Sequence, residues 1–311
     1  NSSGQTSGGS GSTSTTYRTR RRNGQTAADA ETNNYLTAAN NITVSATGDV
    51  VVSGMLVANG TTGGVISIAS SSGHVSVSGI VDAYGQVASG GSVNISSGAL
   101  AQFSGALVSV DGASQGGTVR LNSVLDSLSS VGNLIQANGN NGPGGSVIIS
   151  ANHDVTLSQV TIQANGQTQG GSIQVSTQNN DVNIQGAVVQ TNGSAGPGGT
   201  IGIAGANTTS ITSSAISATG LNQGGIIRIG NDAQNNTLPF SVSTILDSAT
   251  TLDASALMGT GGYIETSGQT LSMLASINAG RGGMWLLDPY SYTIGATPVS
   301  YTHLRAHETD S

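Results

Sequence analysis

The side chains in this 311-residue chain that could make a chemical site are its 15 carboxylates, 8 arginines and 4 histidines. Glycan cleavage on a rigid β surface needs paired carboxylates, or carboxylates with Arg or Lys, converging on one cleft. Asp154 (NHDVTL) and Asp181 (NNDVNI) recur at a 27-residue step, and Asp49 (TGDVVV) has the same setting. Each opens a Val-containing run, where Asp favours turns, so a turn role outweighs a cation or catalytic pair. Asp82 and Asp111 fall on adjacent repeats but in different columns, Asp82 outward and Asp111 at a position elsewhere held by Asn. His153 beside Asp154 suggests a dyad, but adjacent strand residues face opposite sides, and no third member follows. His74 (SSGHVSV) reads as a turn residue. Arg120 and Arg228 stand four repeats apart, roughly 19 Å, too far to clamp one carboxylate. There is no GxSxG elbow and no GGxGxD calcium repeat, and with no Cys there is no thiolate metal site or disulfide framework. Tyr84, Tyr263, Tyr290 and Tyr292 are too scattered for a sugar-stacking platform. The expectation is a non-enzyme with no catalytic, cofactor-binding or metal-binding residues.

What must position any surface is a repeat. Gly144–Gly171 (GGSVIISANHDVTLSQVTIQANGQTQGG) opens and closes on Gly-Gly and holds three short runs, SVIIS, DVTLS and VTIQAN. Gly-Gly pairs begin at Gly63, Gly90, Gly116, Gly144, Gly170, Gly198 and Gly224, at intervals of 27, 26, 28, 26, 28 and 26. The 28-residue rungs close through Gly142-Pro143 and Gly196-Pro197. A fixed period in the twenties is the signature of a solenoid. Aligned on the Gly-Gly pairs, Ile66, Val93, Val119, Val147, Ile173, Ile201 and Ile227 form one column, and the residues two places later another. Between them lies a mixed column of Ser67, Asn94, Arg120, Ile148, Gln174, Gly202 and Arg228, without Asp or Glu. The third run repeats the logic: Leu56, Val81, Val108, Ile135, Ile162, Val189 and Ile216 point inward, with small residues such as Ala137 and Ala164 two places on. Gln136, Gln163 and Gln190 point outward. Before the corner Gly stand Asn59, Asn138, Asn165 and Asn192, read as structural turn ladders because Asn tolerates left-handed conformations and its amides stack.

The fold class expected is all-β: a single-stranded parallel β-helix with three short strands per rung of about 26–28 residues, right-handed by the crossover rule. One rung cannot bury its own inward face, so rungs stabilise one another. Composition agrees. Charged residues make up 7% and aromatics 3%, with 47 Gly; Ser, Thr, Asn and Gln take the places of charges. All eight basic residues are Arg and the net charge is −7, which gives nucleic acid no general electrostatic attraction. No apolar window of about 18 residues predicts membrane insertion, and no signal peptide is recognisable, so the chain reads as an internal fragment.

Residues 1–40 are expected to be an irregular Ser/Gly/Thr-rich lead-in, with an Arg cluster at Arg18, Arg20, Arg21 and Arg22. The β-helix is expected over 41–298, with a loop insertion at 231–260. Val299–Ser311 (VSYTHLRAHETDS) is rich in charge and His, has no rung pattern, and resembles a translated sequencing-adapter string; it is set apart as non-native.

Gly261–Gly268 (GGYIETSG), followed by Trp285–Ile294 (WLLDPYSYTI), resembles the paired signature of two-partner secretion exoproteins, the filamentous-haemagglutinin-like and high-molecular-weight adhesins of Gram-negative bacteria. The residues carrying it are Gly261, Gly262, Glu265, Thr266, Ser267, Gly268, Trp285, Leu286, Leu287, Asp288 and Pro289. Trp285-Leu286-Leu287 reads as a core plug and Asp288-Pro289 as a turn starter. The resemblance implies a long β-helix, export through an outer-membrane pore partner, and adhesion or aggregation at the cell surface. A host or bacterial glycan or protein receptor would then be its partner, and the molecule a monomeric rod. The other readings are a glycan-active β-helix enzyme and the stalk of a contact-dependent toxin.

Overall fold

The computed structural model describes residues 14–17, 30–32, 35–37, 41–231 and 237–292. Each rung turns through three strands; the rung opening at Gly144 has Ser146–Ala151, Val155–Ser158 and Thr161–Gln163. Strands of each kind pair in parallel with their counterparts one rung away. Ser146–Ala151, for example, lies between Thr118–Ser123 and Ser172–Thr177. The third strands alone make a ten-stranded sheet, from Tyr35–Thr37 to Ser276–Asn278. The described residues thus form an all-β solenoid, and none of them belongs to a helix long and apolar enough to cross a membrane.

The core is a column of stacked aliphatics inside the coil. Ile66, Val93, Val119, Val147, Ile173, Ile201 and Ile227 are at most 1% exposed, as are Leu56, Val81, Val108, Ile135, Ile162, Val189 and Ile216. β-branched side chains suit this setting because they pack well on a pleated surface. Second strands contribute Val155, Leu157, Val182 and Ile184 to the same cluster.

The Gly-Gly pairs are required by space. A Cβ on Gly144 would overlap the Ala164 carbonyl, and one on Gly145 would overlap the Gly117 carbonyl. In the same corner the Gly145 N–H donates to Ala137 O at 2.7 Å and the Gly144 N–H to Gln169 O at 2.9 Å. The backbone closes on itself and on the next rung at one point, and a side chain would hold both apart. Gly132 is different: φ is +64° and nothing would meet its Cβ within 4 Å.

The alternation of 26- and 28-residue rungs has a local origin. Corner glycines Gly85, Gly112, Gly139, Gly166, Gly193 and Gly220 bridge successively at constant 27-residue steps. Third strands keep the same step, Leu107 to Leu134 to Thr161 to Val188. The turn from corner Gly to Gly-Gly pair alternates between a longer form, which carries Pro143 and Pro197 in two of its copies, and a shorter one. The turn between first and second strands alternates in the opposite sense, so second and third strands keep the constant step.

Two stretches differ from expectation. The β-helix does not begin at residue 41: Ser14–Tyr17, Ala30–Thr32 and Tyr35–Thr37 pair with Asn41–Val44, Val50–Val52 and Met55–Val57. These runs are too short to show alternation amid Ser and Thr, so composition alone hid them. The insertion is narrower than 231–260, because Ser243–Leu246 and Thr251–Asp253 continue the second and third columns. Arg18, Arg20, Arg21, Arg22 and Val299–Ser311 lie outside the described residues. At the other end, Tyr263–Met273 runs unbroken through the first and second positions, and Met284–Tyr292 pairs alongside it. The turn between first and second strands is lost there.

Urea unfolding should rank three variants. Ile149→Asp, burying a lone charge at a fully buried position, should cost about 4 kcal/mol or more. Gly144→Ala should cost about 3 kcal/mol through overlap, and Gly132→Ala only about 1 kcal/mol through its left-handed backbone. A Gly132→Ala loss equal to that of Gly144→Ala would refute the close-approach account.

Candidate functional site

Polar side chains along the rod are organised in ladders. Asn138 N–H donates to Asp111 Oδ1 at 2.5 Å, Asn165 N–H to Asn138 Oδ1 at 2.9 Å, Asn192 N–H to Asn165 Oδ1 at 2.7 Å, and Thr219 N–H to Asn192 Oδ1 at 2.9 Å. Asn59 Oδ1 likewise accepts from Tyr84 N–H at 2.6 Å. None of these Asn residues has a positive φ, so neither left-handed backbone nor amide stacking places them there. Their side-chain oxygen satisfies a peptide of the next rung that the turn leaves unpaired. Amide-to-amide bonding does occur in the Gln column: Gln136 Nε2 donates to Gln163 Oε1 at 2.9 Å, and Gln163 Nε2 to Gln190 Oε1 at 3.1 Å.

The aspartate column works like the Asn ladder. Asp154 Oδ1 accepts from Asp181 N–H at 3.2 Å, Asp181 Oδ1 from Thr208 N–H at 2.9 Å, and Asp49 Oδ1 from His74 N–H at 2.8 Å. His153 faces Asp126 of the preceding rung (Nδ1 to Oδ1, 3.8 Å), both about half exposed, where an ion pair contributes little. Asp82 Oδ2 accepts from Asn59 Nδ2 at 2.7 Å. Asp111 sits deeper, and burial pushes its carboxyl above the usual carboxylate range, with the Asp82 charge adding to the shift and bonds from Asn138 opposing it. Among the described residues, no three His, Asp or Glu side chains converge to hold a metal ion.

The densest chemistry lies at the paired motif, and its centre is Glu265. The repeat offset that puts Arg228 four residues after Gly224 puts Glu265 four after Gly261, and the two pair in register with Leu286. The mixed outward column, free of carboxylates as far as Arg228, therefore acquires one a rung later. Glu265 is 0% exposed. Tyr263 Oη donates to its Oε2 and Ser267 Oγ to its Oε1, both at 3.2 Å, and Arg228 Nε lies 3.6 Å from Oε2. The guanidinium carbon stands 5.6 Å from the Tyr263 ring centroid, within cation–π range. Burial, then the Glu265 charge and hydrogen bond, holds the Tyr263 phenol protonated far above its ordinary pKa, with Arg228 opposing. A carboxylate so enclosed has no route to a substrate; the arrangement anchors two rungs.

The other motif residues surround it. Gly261 and Gly262 repeat the Gly-Gly corner, with Gly262 N–H donating to Ala254 O at 2.8 Å. Trp285 pairs with Ile264 and packs partly buried against the core, its indole N–H donating to Thr266 Oγ1 at 3.0 Å. Thr244 Oγ1 donates to Ser267 O at 2.7 Å. Leu287 pairs with Thr266. Asp288 and Pro289 do not start a turn: they lie within Met284–Tyr292, opposite Ser267 and Gly268. The missing N–H of Pro289 is tolerated because it stands in the last rung described, beside a glycine.

Two shallow depressions lie on the outward face of the first strands. One, about 380 Å³, is lined by Ser67, Asn94, Ser96, Arg120, Asn122 and Ser150. The other, about 130 Å³, is bordered by Gln174, Gly202, Arg228, Thr237 and Leu238. Neither contains a carboxylate. Leu238 is 7% exposed, and a Cβ on Gly202 would stand 3.1 Å from its Cδ1, so Gly202 makes room for the Leu238 side chain.

No protein-family model and no curated protein sequence matches the chain. A solved structure does: the secretion domain of HMW1 from Haemophilus influenzae superposes with a TM-score of 0.52 at 17% identity, covering 81% of this chain and 79% of that one. At that identity the likeness shows the fold, a parallel β-solenoid.

Two measurements test the site. Asp111 binds its proton more tightly folded than unfolded, so it lowers stability as pH rises through the carboxylate range and above. Asp111→Asn should raise the melting temperature at neutral pH and flatten its fall as pH rises above the ordinary carboxylate range; an unchanged profile would disprove the assignment. Arg228→Met should cost about 3–5 kcal/mol by leaving Glu265 buried without its partner charge, and adding Glu265→Leu should restore much of the loss. Additive losses in the urea double-mutant cycle would show that the two do not act as a pair.

Proposed function

We propose that the chain is a β-helical segment of a secreted bacterial cell-surface protein of the two-partner secretion adhesin kind, exported through an outer-membrane pore transporter. It acts as a stiff rod of low charge density that carries an adhesive or aggregative surface. The observation that carries this reading is the paired motif. Its Glu265 forms, with Arg228, a buried ion-pair anchor in the last rungs described of a solenoid whose fold resembles the HMW1 secretion domain. The ladders support a structural role: the side chains best suited to chemistry hold the backbone of the next rung. The exposed Asn94 and Arg120 of the first-strand face, with the half-buried Ser67, Ser96, Asn122 and Ser150 around them, offer hydrogen bonds to a glycan or protein receptor on a host or bacterial surface.

Beads coated with the protein should be retained on host-cell or bacterial surfaces, and retention should fall when Asn94, Arg120 and Asn122 are replaced together by Ala. Incubation with plant and bacterial polysaccharides should release neither reducing ends nor unsaturated products. Retention unaffected by the triple substitution would move the receptor surface elsewhere, and turnover abolished by Asp154→Asn would overturn the non-enzymatic reading.

A further inference from the structure

The Asn ladder is also a row of Asn-Gly dipeptides: Asn59-Gly60, Asn138-Gly139, Asn165-Gly166 and Asn192-Gly193, with Asn141-Gly142 beside it. Asn-Gly is chemically labile. Glycine has no side chain to obstruct its peptide nitrogen, which can lose its proton to base and attack the Asn Cγ. The amide C–N bond breaks, ammonia leaves, and a five-membered succinimide forms. Water then adds to either imide carbonyl, giving aspartate or isoaspartate. One water is consumed and one ammonia released, with no change of oxidation state.

Both reacting groups are held at the ladder positions. The next rung's residue donates its N–H to the Asn Oδ1 and accepts the glycine N–H on its C=O. At Asn138-Gly139 that residue is Asn165, at 2.9 Å on both bonds. At Asn165-Gly166 it is Asn192, at 2.7 and 2.9 Å; at Asn192-Gly193 it is Thr219, at 2.9 and 2.8 Å. Tyr84 holds Asn59-Gly60 at 2.6 and 3.2 Å. Each amide points along the rod towards the next rung, and each nucleophilic N–H is already donated. Asn141-Gly142 lacks this clamp. Asn141 is exposed, its amide NH₂ donates to Ala113 O at 2.9 Å, and the Gly142 N–H makes no hydrogen bond among the described residues, although Gly142 is itself buried.

We propose that Asn141 is a site of spontaneous deamidation in the folded protein, and that Asn59, Asn138, Asn165 and Asn192 are latent sites that react only when the rungs separate. Asp111 indicates what the ladder tolerates, since a carboxylate oxygen there takes the same N–H that an amide oxygen takes elsewhere. Isoaspartate is not tolerated, because its extra main-chain carbon displaces the corner Gly from its 27-residue bridge.

The wild-type protein is incubated at mildly alkaline pH, folded and in denaturing urea, and aspartyl and isoaspartyl products are quantified by peptide mapping. Asn141 should convert within about tenfold of its rate in urea. The four ladder residues should be slowed at least about a hundredfold on folding, a factor set by how rarely a rung opens. Asn141→Gln should abolish the aspartyl and isoaspartyl products mapped to position 141 in the folded protein without changing its melting temperature. Ladder residues converting as fast as Asn141 in the folded state, or Asn141 as slow as they are, overturns the proposal.

Discussion

The constraint on which the rest depends is the approach of one backbone to the next at the corner before each first strand. There a peptide bonds both within its own rung and to its neighbour, and the Gly-Gly pair is what lets the two chains come that near. This contact sets the register of stacking. Once it is set, every aliphatic column falls inward and every ladder oxygen finds its N–H. The hydrophobic core then stabilises a register that the glycines have already selected.

This explains how polar atoms are used. Turns leave peptide groups without partners, and an unpaired buried N–H costs as much as a lost hydrogen bond. A globular protein would meet that with varied loops; a repeat can use one short side chain, copied. Asn165, Asp181 and their column mates fill this role, each side-chain oxygen holding a peptide N–H of the next rung. Glu265 is the extreme case, satisfied by Tyr263, Ser267 and Arg228 and closed to solvent.

Much of the fold was legible because a strand alternates with period two and a solenoid repeats each column. Val147, Ile149, Ile162 and Ala164 declare themselves by position, and all are buried. The early strands were hidden because Ser14–Tyr17 and Ala30–Thr32 offer too few alternations to stand out from Ser/Thr-rich sequence. The role of the Asn ladder was legible by place but not by mechanism, since spacing cannot distinguish an amide that bonds its twin from one that bonds a peptide. Glu265 was within reach: the offset from its Gly-Gly pair matches that of Arg228, but the changed interval before Gly261 obscured the alignment. The strand through Asp288-Pro289 was not, because local turn propensity there gives way to pairing with Ser267 and Gly268.

The turns containing Pro143 and Pro197 alternate with shorter ones, and the turns between first and second strands alternate in the opposite sense, while the strands themselves stack in every rung. Those two edges are therefore period-doubled: their surfaces recur about every 9.6 Å, against about 4.8 Å for the strands. The rod thus carries two rulers of different pitch on one body. A ligand that reads only the strand spacing of a face can shift by a single rung, whereas one that grips a corrugated edge must shift by two, so those edges confer positional memory that strand spacing alone lacks.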